Sequence, residues 1–152
     1  MNQLFENIDK PRKYLLQQIS ELNSEQLNKV PKGFNNNIIW NLGHMVAAQQ
    51  GICYKRANLD ILIKEELFSL YKPGTKPERL VSENDINIIK QLLITTIEQL
   101  ASDYDKGLFQ TYPPWETRYG VQITSIDAAI HFLPFHEGIH MGTVQSIKKL
   151  VV

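Results

Sequence analysis

The sequence predicts an all-α fold, a four-helix bundle in which a long crossover joins the second and third helices. Four segments repeat apolar residues at intervals of three and four, which is the period of one helix face. No segment alternates apolar and polar residues for long enough to form a sheet, and the turn-rich stretch 57–81 separates the second segment from the third. The pattern therefore favours one helical domain over residues 1–152.

The first two predicted helices lie before the crossover. The inward face of the first is formed by Phe5, Ile8, Arg12, Leu15, Ile19 and Leu22. Pro11 is expected to kink this helix or delay its start, because proline lacks the N–H of a helical hydrogen bond. The second helix is predicted from Ile38 to about Arg56, after three asparagines, 35–37, whose side chains can cap its first turn.

The last two predicted helices follow the crossover. Ser82 and Asp85 resemble a capping box at the start of the third helix, which is predicted to reach Tyr104. A second loop, 107–120, leads to the fourth helix, which we expect Thr124 and Asp127 to cap and which ends near Lys149. The predicted inward stripe of the fourth helix is Ile126, Ala129, Leu133, His136, His140, Thr143 and Ile147.

Composition excludes several classes of partner. Lysine and arginine (16) balance aspartate and glutamate (16), so the formal charge is zero and nothing marks a nucleic-acid or anionic-membrane surface. No stretch approaches the roughly 18 apolar residues needed to cross a bilayer, and the amino end lacks the pattern of a signal peptide. A single cysteine, Cys53, excludes an internal disulfide and fits a reducing compartment. We expect a cytoplasmic protein with a small-molecule partner.

The most informative motif is the pair His136 and His140 on the fourth predicted helix. Side chains four residues apart return to within about 40° of each other, so both imidazoles leave the same face and can hold one divalent metal ion. The motif H-E-x-x-H, with Glu137 second, also matches zinc metallopeptidases. A peptidase is not favoured, because residues 141–152 contain no histidine or acidic residue to act as a downstream third ligand and no edge strand is predicted to hold a peptide.

A third metal ligand must therefore come from upstream. His131 lies five residues before His136, about 140° around the helix, so a packing or local hydrogen-bonding role is expected for it. His44 lies on the apolar stripe of the second helix, where a facing helix can bring it to the pair. Three imidazoles would leave a coordination position open, as in catalytic sites. Cys53 is about 180° away from His44 on the same helix and is expected to be a small buried residue.

Several residues near this pair keep more than one interpretation. Glu137 is a candidate catalytic base, but it can equally orient a metal ligand or be solvated. Trp40, one turn from His44, is core filler or a wall of the metal pocket. The loop residues Trp115, Glu116, Arg118 and Tyr119 either cover the mouth of that pocket or, as we favour, decorate the surface. Gly138 and Gly142 lower helix propensity, which indicates close approach of another helix or of a ligand.

Two blocks of the sequence resemble the DinB-like superfamily. Asn-Ile-x-Trp-x-x-Gly-His reads Asn37 to His44, and His-Glu-x-x-His-x-Gly reads His136 to Gly142. The resemblance covers essentially the whole chain, including the crossover. It implies an up-down-down-up bundle, often a homodimer, with zinc or nickel held by His44, His136 and His140. It also implies an enzyme related to transferases that use low-molecular-weight thiols such as bacillithiol or mycothiol.

Three hypotheses follow from these observations. The first is a metal-dependent enzyme that transfers a low-molecular-weight thiol to an electrophilic small molecule at the three-histidine site. The second is a noncatalytic metal-binding or ligand-binding module, connected with stress. The third is a helical scaffold without metal, in which the histidines satisfy one another inside the core.

Overall fold

The structure is a computed structural model that describes residues 2–152, and it confirms the all-α prediction. Six α-helices form the fold: α1 Gln3–Gln18, α2 Ser24–Asn28, α3 Ile38–Gln49, α4 Glu65–Tyr71, α5 Glu83–Asp105 and α6 Ile126–Val151. A π-helical turn, Gln50–Tyr54, and a 3-10 turn, Lys55–Ala57, prolong α3. The second predicted helix therefore ends where its periodicity indicated, although its last two turns are not α-helical.

Side-chain caps fix where the helices begin. Asn37 accepts a hydrogen bond from the amide of Trp40 at the start of α3, and Ser82 accepts one from Asp85 at the start of α5. The α6 cap is Ser125, so the prediction of Thr124 was one residue early. Pro11 lies inside α1, which begins at Gln3, so the proline does not delay the helix.

Contacts between the four long helices give their relative directions. Helices α1 and α3 each pack against both α5 and α6, which places α1 and α3 on one diagonal. Two contacts show the relative direction of each adjacent pair. For α1 they are Phe5–Tyr104 and Arg12–Leu93 with α5, and Arg12–Glu137 and Gln18–Lys148 with α6. For α3 and the π-helical turn that prolongs it, they are Gln49–Thr96 and Tyr54–Asp103 with α5, and Asn41–His140 and His44–His136 with α6. Relative to α1, the chain therefore runs down in α3 and α5 and up in α6.

A polar layer divides the hydrophobic core into two clusters. One cluster includes Leu15, Met45, Leu93 and Val144, and the other includes Ile8, Cys53, Ile97 and Leu133. On each of the four long helices one buried polar residue lies between them: Arg12, Gln49, Thr96 and Glu137. Apolar burial above and below this layer supplies the main driving force for packing the bundle.

The crossover and the second loop contain short elements that the sequence analysis did not predict. Helix α4 lies in the crossover. In the second loop, strands β1 (Trp115–Glu116) and β2 (Gln122–Ile123), of two residues each, form an antiparallel hairpin. Strands of this length are too short to show alternation. No helix within residues 2–152 has both the length and the apolar character required to cross a bilayer.

Candidate metal centre

The ring of His44 is held by a backbone carbonyl of the crossover. Its Nδ1 donates a hydrogen bond to the Tyr71 carbonyl, 2.8 Å away at the end of α4. A carbonyl only accepts, so Nδ1 carries the proton and Nε2 of the neutral ring presents a lone pair. Tyr71 can approach so closely because residue 43 is glycine: a Cβ at Gly43 would lie 2.5 Å from the tyrosine ring.

His140 is oriented in the same way by Asn41. The His140 Nδ1 donates to the Asn41 side-chain oxygen at 2.9 Å, while the Asn41 side-chain nitrogen donates to Asn36 and to the Asn37 carbonyl. Since both partners of that nitrogen are acceptors, the amide orientation is settled by its hydrogen bonds. The Nε2 of His140 therefore also presents a lone pair.

These two rings and His136 come together between α3 and α6. His44, His136 and His140 each offer a nitrogen, and the three nitrogens lie within 4.8 Å of one another. The Nε2 atoms of His44 and His136 are 3.3 Å apart. Two nitrogens bound tetrahedrally to zinc at 2.0–2.1 Å are also about 3.3 Å apart, so this pair has the spacing that a zinc ion requires. The group can hold a metal ion, and it consists of the three histidines predicted from the sequence.

Burial keeps these rings neutral. Burial, together with the charge of the neighbouring histidines, lowers the pKa of His136 to about 4 and that of His140 to about 3. The pKa of His44 is also lowered by burial, against an opposing hydrogen bond to Tyr71. Neutral imidazole is the form that binds a metal, so the site is in its ligating form at neutral pH.

Glu137 points away from the histidines into the core. Its carboxylate accepts hydrogen bonds from Nε and Nη2 of Arg12, a residue that is 0% exposed. The Arg12 Nη1 donates to Gln49 and to the Leu93 carbonyl. Glu137 is 2% exposed, so the interpretation as a solvated side chain was wrong. Its role as catalytic base stays a prediction, and the ion pair with Arg12 argues against it and against a peptidase.

The histidine group opens into a cleft of about 850 Å³. The ring of Trp40 stacks on that of His44, with centroids 4.7 Å apart and planes 13° apart, so it is a wall of the site. The cleft is also lined by Trp115, Glu116, Arg118 and Tyr119. The favoured interpretation of these loop residues as surface decoration was wrong, because they form one side of the cleft.

Two of the remaining sequence predictions near the site are confirmed, and a third is wrong in part. His131 is exposed and its Nδ1 donates to the Asp127 carbonyl, the local hydrogen bond that was expected. Cys53 is buried and has a raised pKa, as expected for a packing residue. Gly138 and Gly142 are exposed, and a Cβ on either would meet no atom of residues 2–152 within 4 Å, so the predicted approach of another helix was wrong, while the approach of a ligand stays a prediction.

Some residues that shape the site were missed. Tyr71 fixes His44, yet only the spacing of Ile63, Leu67 and Tyr71, four residues apart, hints at the short helix that carries it. Asn41 lies within the block that contains Trp40 and His44, but its partner on another helix cannot be read from one sequence.

Comparison with known proteins agrees with this geometry. The family model of the DinB superfamily matches residues 7–144, nearly the whole chain and both histidine blocks. The chain belongs to the DinB superfamily. No curated protein matches it. The DinB superfamily resemblance read from the sequence is therefore confirmed, and the histidine group lies where that resemblance places the metal ligands.

Proposed function

We propose that this chain binds one divalent metal ion, zinc or nickel, through His44, His136 and His140. The observation that carries the proposal is the convergence of three imidazoles on one side of an open cleft. Two of them donate Nδ1–H to a carbonyl or amide oxygen, the arrangement that usually sets the tautomer of a metal-binding histidine. An all-nitrogen set of imidazoles suits zinc or nickel better than calcium or magnesium, which prefer oxygen.

We further propose that the centre transfers a low-molecular-weight thiol to an electrophilic small molecule. A bound divalent ion would lower the pKa of a thiol that coordinates the position left open by three ligands. The thiol must come from a small molecule, because Cys53 is fully buried. In the reaction the S–H proton passes to solvent, a new S–C bond forms, and the leaving group departs with the bonding electrons.

In this reaction the chain's own residues would orient the histidine rings and shield the electrophile from water. Tyr71 and Asn41 fix two rings so that their Nε2 atoms face the cleft, and Trp40 covers the face of His44. The apolar walls of the cleft would exclude water from the electrophile. Because Glu137 is paired with Arg12, we expect no general base from this residue.

The pairing of Glu137 with Arg12 also favours a second candidate function. Of the cleft-lining residues, Glu116 is the one acidic side chain, and it already accepts a hydrogen bond from Gln122. A site without a free base suits a noncatalytic metal-binding or ligand-binding module. The predicted homodimer and cytoplasmic location stay predictions under either function.

Metal analysis of protein purified without a histidine tag tests the first step. We expect about one zinc or nickel ion per chain in the native protein and a loss of at least tenfold in affinity for His44→Ala, because one of three ligands is removed. His131→Ala is the matched control, since this exposed histidine lies off the site, and it should keep the metal. Equal metal content in the native and His44→Ala proteins would contradict the assignment.

Turnover assays test the second step. The metal-loaded protein is incubated with a panel of thiols and a generic electrophile, and loss of free thiol is measured. Activity that disappears in His44→Ala and survives in His131→Ala supports the transferase. Tight metal binding without turnover across the panel would favour the noncatalytic module.

A further inference from the structure

Cationic side chains gather at the mouth of the cleft, on the side formed by the end of the α3 helical segment and the hairpin. Lys55, Arg56 and Arg118 line this side, with Glu116 as the one acidic residue. Lys55 is paired with Glu65 at 3.1 Å, outside the set of cleft-lining residues. The two arginines therefore dominate the charge of this side.

Neither arginine is neutralised by the protein. Within residues 2–152, Arg12 is the arginine that forms an ion pair, with Glu137, while the guanidinium groups of Arg56 and Arg118 form no ion pair or hydrogen bond. Both side chains are exposed at the mouth of the cleft. Each guanidinium has five N–H donors and can bind a carboxylate or phosphate through two parallel hydrogen bonds.

Arg56 is held in place by an aromatic platform. Its guanidinium lies over the ring of Trp115, with the central carbon 4.2 Å from the ring centroid. The Trp115 indole N–H donates to the Tyr112 hydroxyl at 2.8 Å, and that hydroxyl donates to the Ile52 carbonyl at 2.7 Å. Stacking leaves the N–H edges of the guanidinium available, so Arg56 is oriented in advance for an anion.

A series of aromatic rings leads from Arg118, in the hairpin, to the histidines. Arg118 lies 6.0 Å from the ring of Tyr119, which lies 6.5 Å from that of Phe132. The ring of Phe132 is in turn 6.5 Å from that of His136. An aromatic wall thus connects the cationic mouth to the histidine centre, and an apolar ligand body can lie along it.

Small residues form the floor between the two ends of the cleft. Ala48 and Gly51 both line the cleft and lie between His44 and Lys55 on one helical segment. Lys55 follows His44 by eleven positions, which corresponds to roughly 15 Å along the axis. The cleft is therefore long enough for a ligand with different chemical groups at its two ends.

We propose that the cleft takes an anionic ligand whose carboxylate or phosphate is bound by Arg56 and Arg118. The apolar part of the ligand lies along Trp115 and Phe132, and its other end reaches the histidine centre. Only the contact between the ligand and the histidine centre rests on the proposed function. Anion recognition at the mouth is independent of a metal ion.

Both tryptophans of the chain, Trp40 and Trp115, line the cleft, which provides a direct measurement. Their indole N–H signals are followed by NMR while metal-free or zinc-loaded protein is titrated with 2-naphthylacetate, its neutral analogue 2-naphthylacetamide, or 2-naphthyl phosphate. We expect the acid to bind about three- to tenfold more tightly than the amide, the contribution of charge-assisted hydrogen bonds at an exposed site. Tighter binding of the phosphate than of the acid would identify a phosphate ligand.

The double variant Arg56→Gln/Arg118→Gln should lose this preference, and Arg79→Gln should keep it. Arg79 is the matched control, since it is an exposed arginine that does not line this cleft. Four results would each overturn the inference. The acid and the amide bind equally, or the indole signals do not move during the titration. Alternatively, the preference for the acid persists in the double variant or is lost in Arg79→Gln. A preference in protein that fails to bind zinc would refute the proposed function alone, and zinc binding without a preference would refute the anion site alone.

Discussion

Two neighbouring residues of α6, His136 and Glu137, belong to polar centres of opposite character. Around Glu137 each side-chain nitrogen of Arg12 has at least one acceptor, and the layer is closed to solvent. Around His136, nitrogen lone pairs converge beside an open cleft, and its own Nδ1 has no partner within residues 2–152. Polar groups that are hydrogen-bonded within the protein hold the helices together, whereas those without a partner in the protein are available to bind a ligand.

The largest expected effect comes from breaking the closed layer. Glu137→Ala leaves the Arg12 guanidinium buried without its carboxylate, and loss of one partner of a buried ion pair typically costs about 3–5 kcal/mol. Urea unfolding should therefore show a decrease of this size in the free energy of unfolding.

The double variant Arg12→Met/Glu137→Leu is the control. It removes both charges, so we expect it to recover most of the lost stability and to keep metal binding. A catalytic role for Glu137 predicts instead that this stable variant loses turnover. If Glu137→Ala were as stable as the native protein, the division between structural and binding centres would be wrong.

A smaller effect is expected at Gly43, on the binding side of the comparison. A methyl group here would lie 2.5 Å from the Tyr71 ring, and overpacking of this kind typically costs about 1–3 kcal/mol. Because Tyr71 also holds Nδ1 of His44, Gly43→Ala should weaken zinc binding together with thermal stability. Calorimetric titration with zinc and thermal unfolding measure the two effects.

Gly138→Ala is the matched control, because a methyl group at this exposed helical position meets no atom of residues 2–152. Replacing glycine with alanine inside an exposed helix should stabilise it by about 1 kcal/mol and leave zinc binding unchanged. Destabilisation would indicate that a second copy of the chain covers this face of α6. Unchanged zinc affinity in Gly43→Ala would show that Tyr71 does not position His44.

The same two centres show what a single sequence can reveal. The convergence of His44, His136 and His140 was predicted correctly, because helical spacing and the superfamily blocks place them on facing helices, while their role as metal ligands stays a prediction. Arg12 was placed on the inward face of the first helix, but periodicity alone does not say that its partner is Glu137, 125 residues away. Pairing across a bundle depends on which helices are adjacent, and that is decided by the packing of the whole chain.

The loops were the least predictable part. Helix α4 and the hairpin are stabilised by contacts with the bundle, since elements of two to seven residues have little stability of their own. Trp115 and Arg118 consequently looked like surface residues, although tertiary structure places them at the cleft. The predicted approach of another helix to Gly138 and Gly142 was wrong for a related reason, because a low helix propensity is an energetic cost that does not identify a compensating contact.

The comparison also predicts a pH dependence of stability that arises at the histidine centre of the metal-free protein. Histidines of the unfolded chain take up protons as the pH falls through about 6.5. In the folded protein burial lowers the pKa of His136 to about 4 and that of His140 to about 3. The unfolded state therefore binds more protons within this window, and stability must fall as the pH decreases from about 6.5 towards 4.

The contribution of these histidines to the free energy of unfolding is complete above about pH 6.5. In His136→Ala/His140→Ala the fall on acidification should be shallower, whatever the stability of that variant at neutral pH, because the slope counts protons and not contacts. Unfolding by urea at successive pH values measures the slopes, and equal slopes for the native protein and the double variant would mean that the buried rings do not stay neutral.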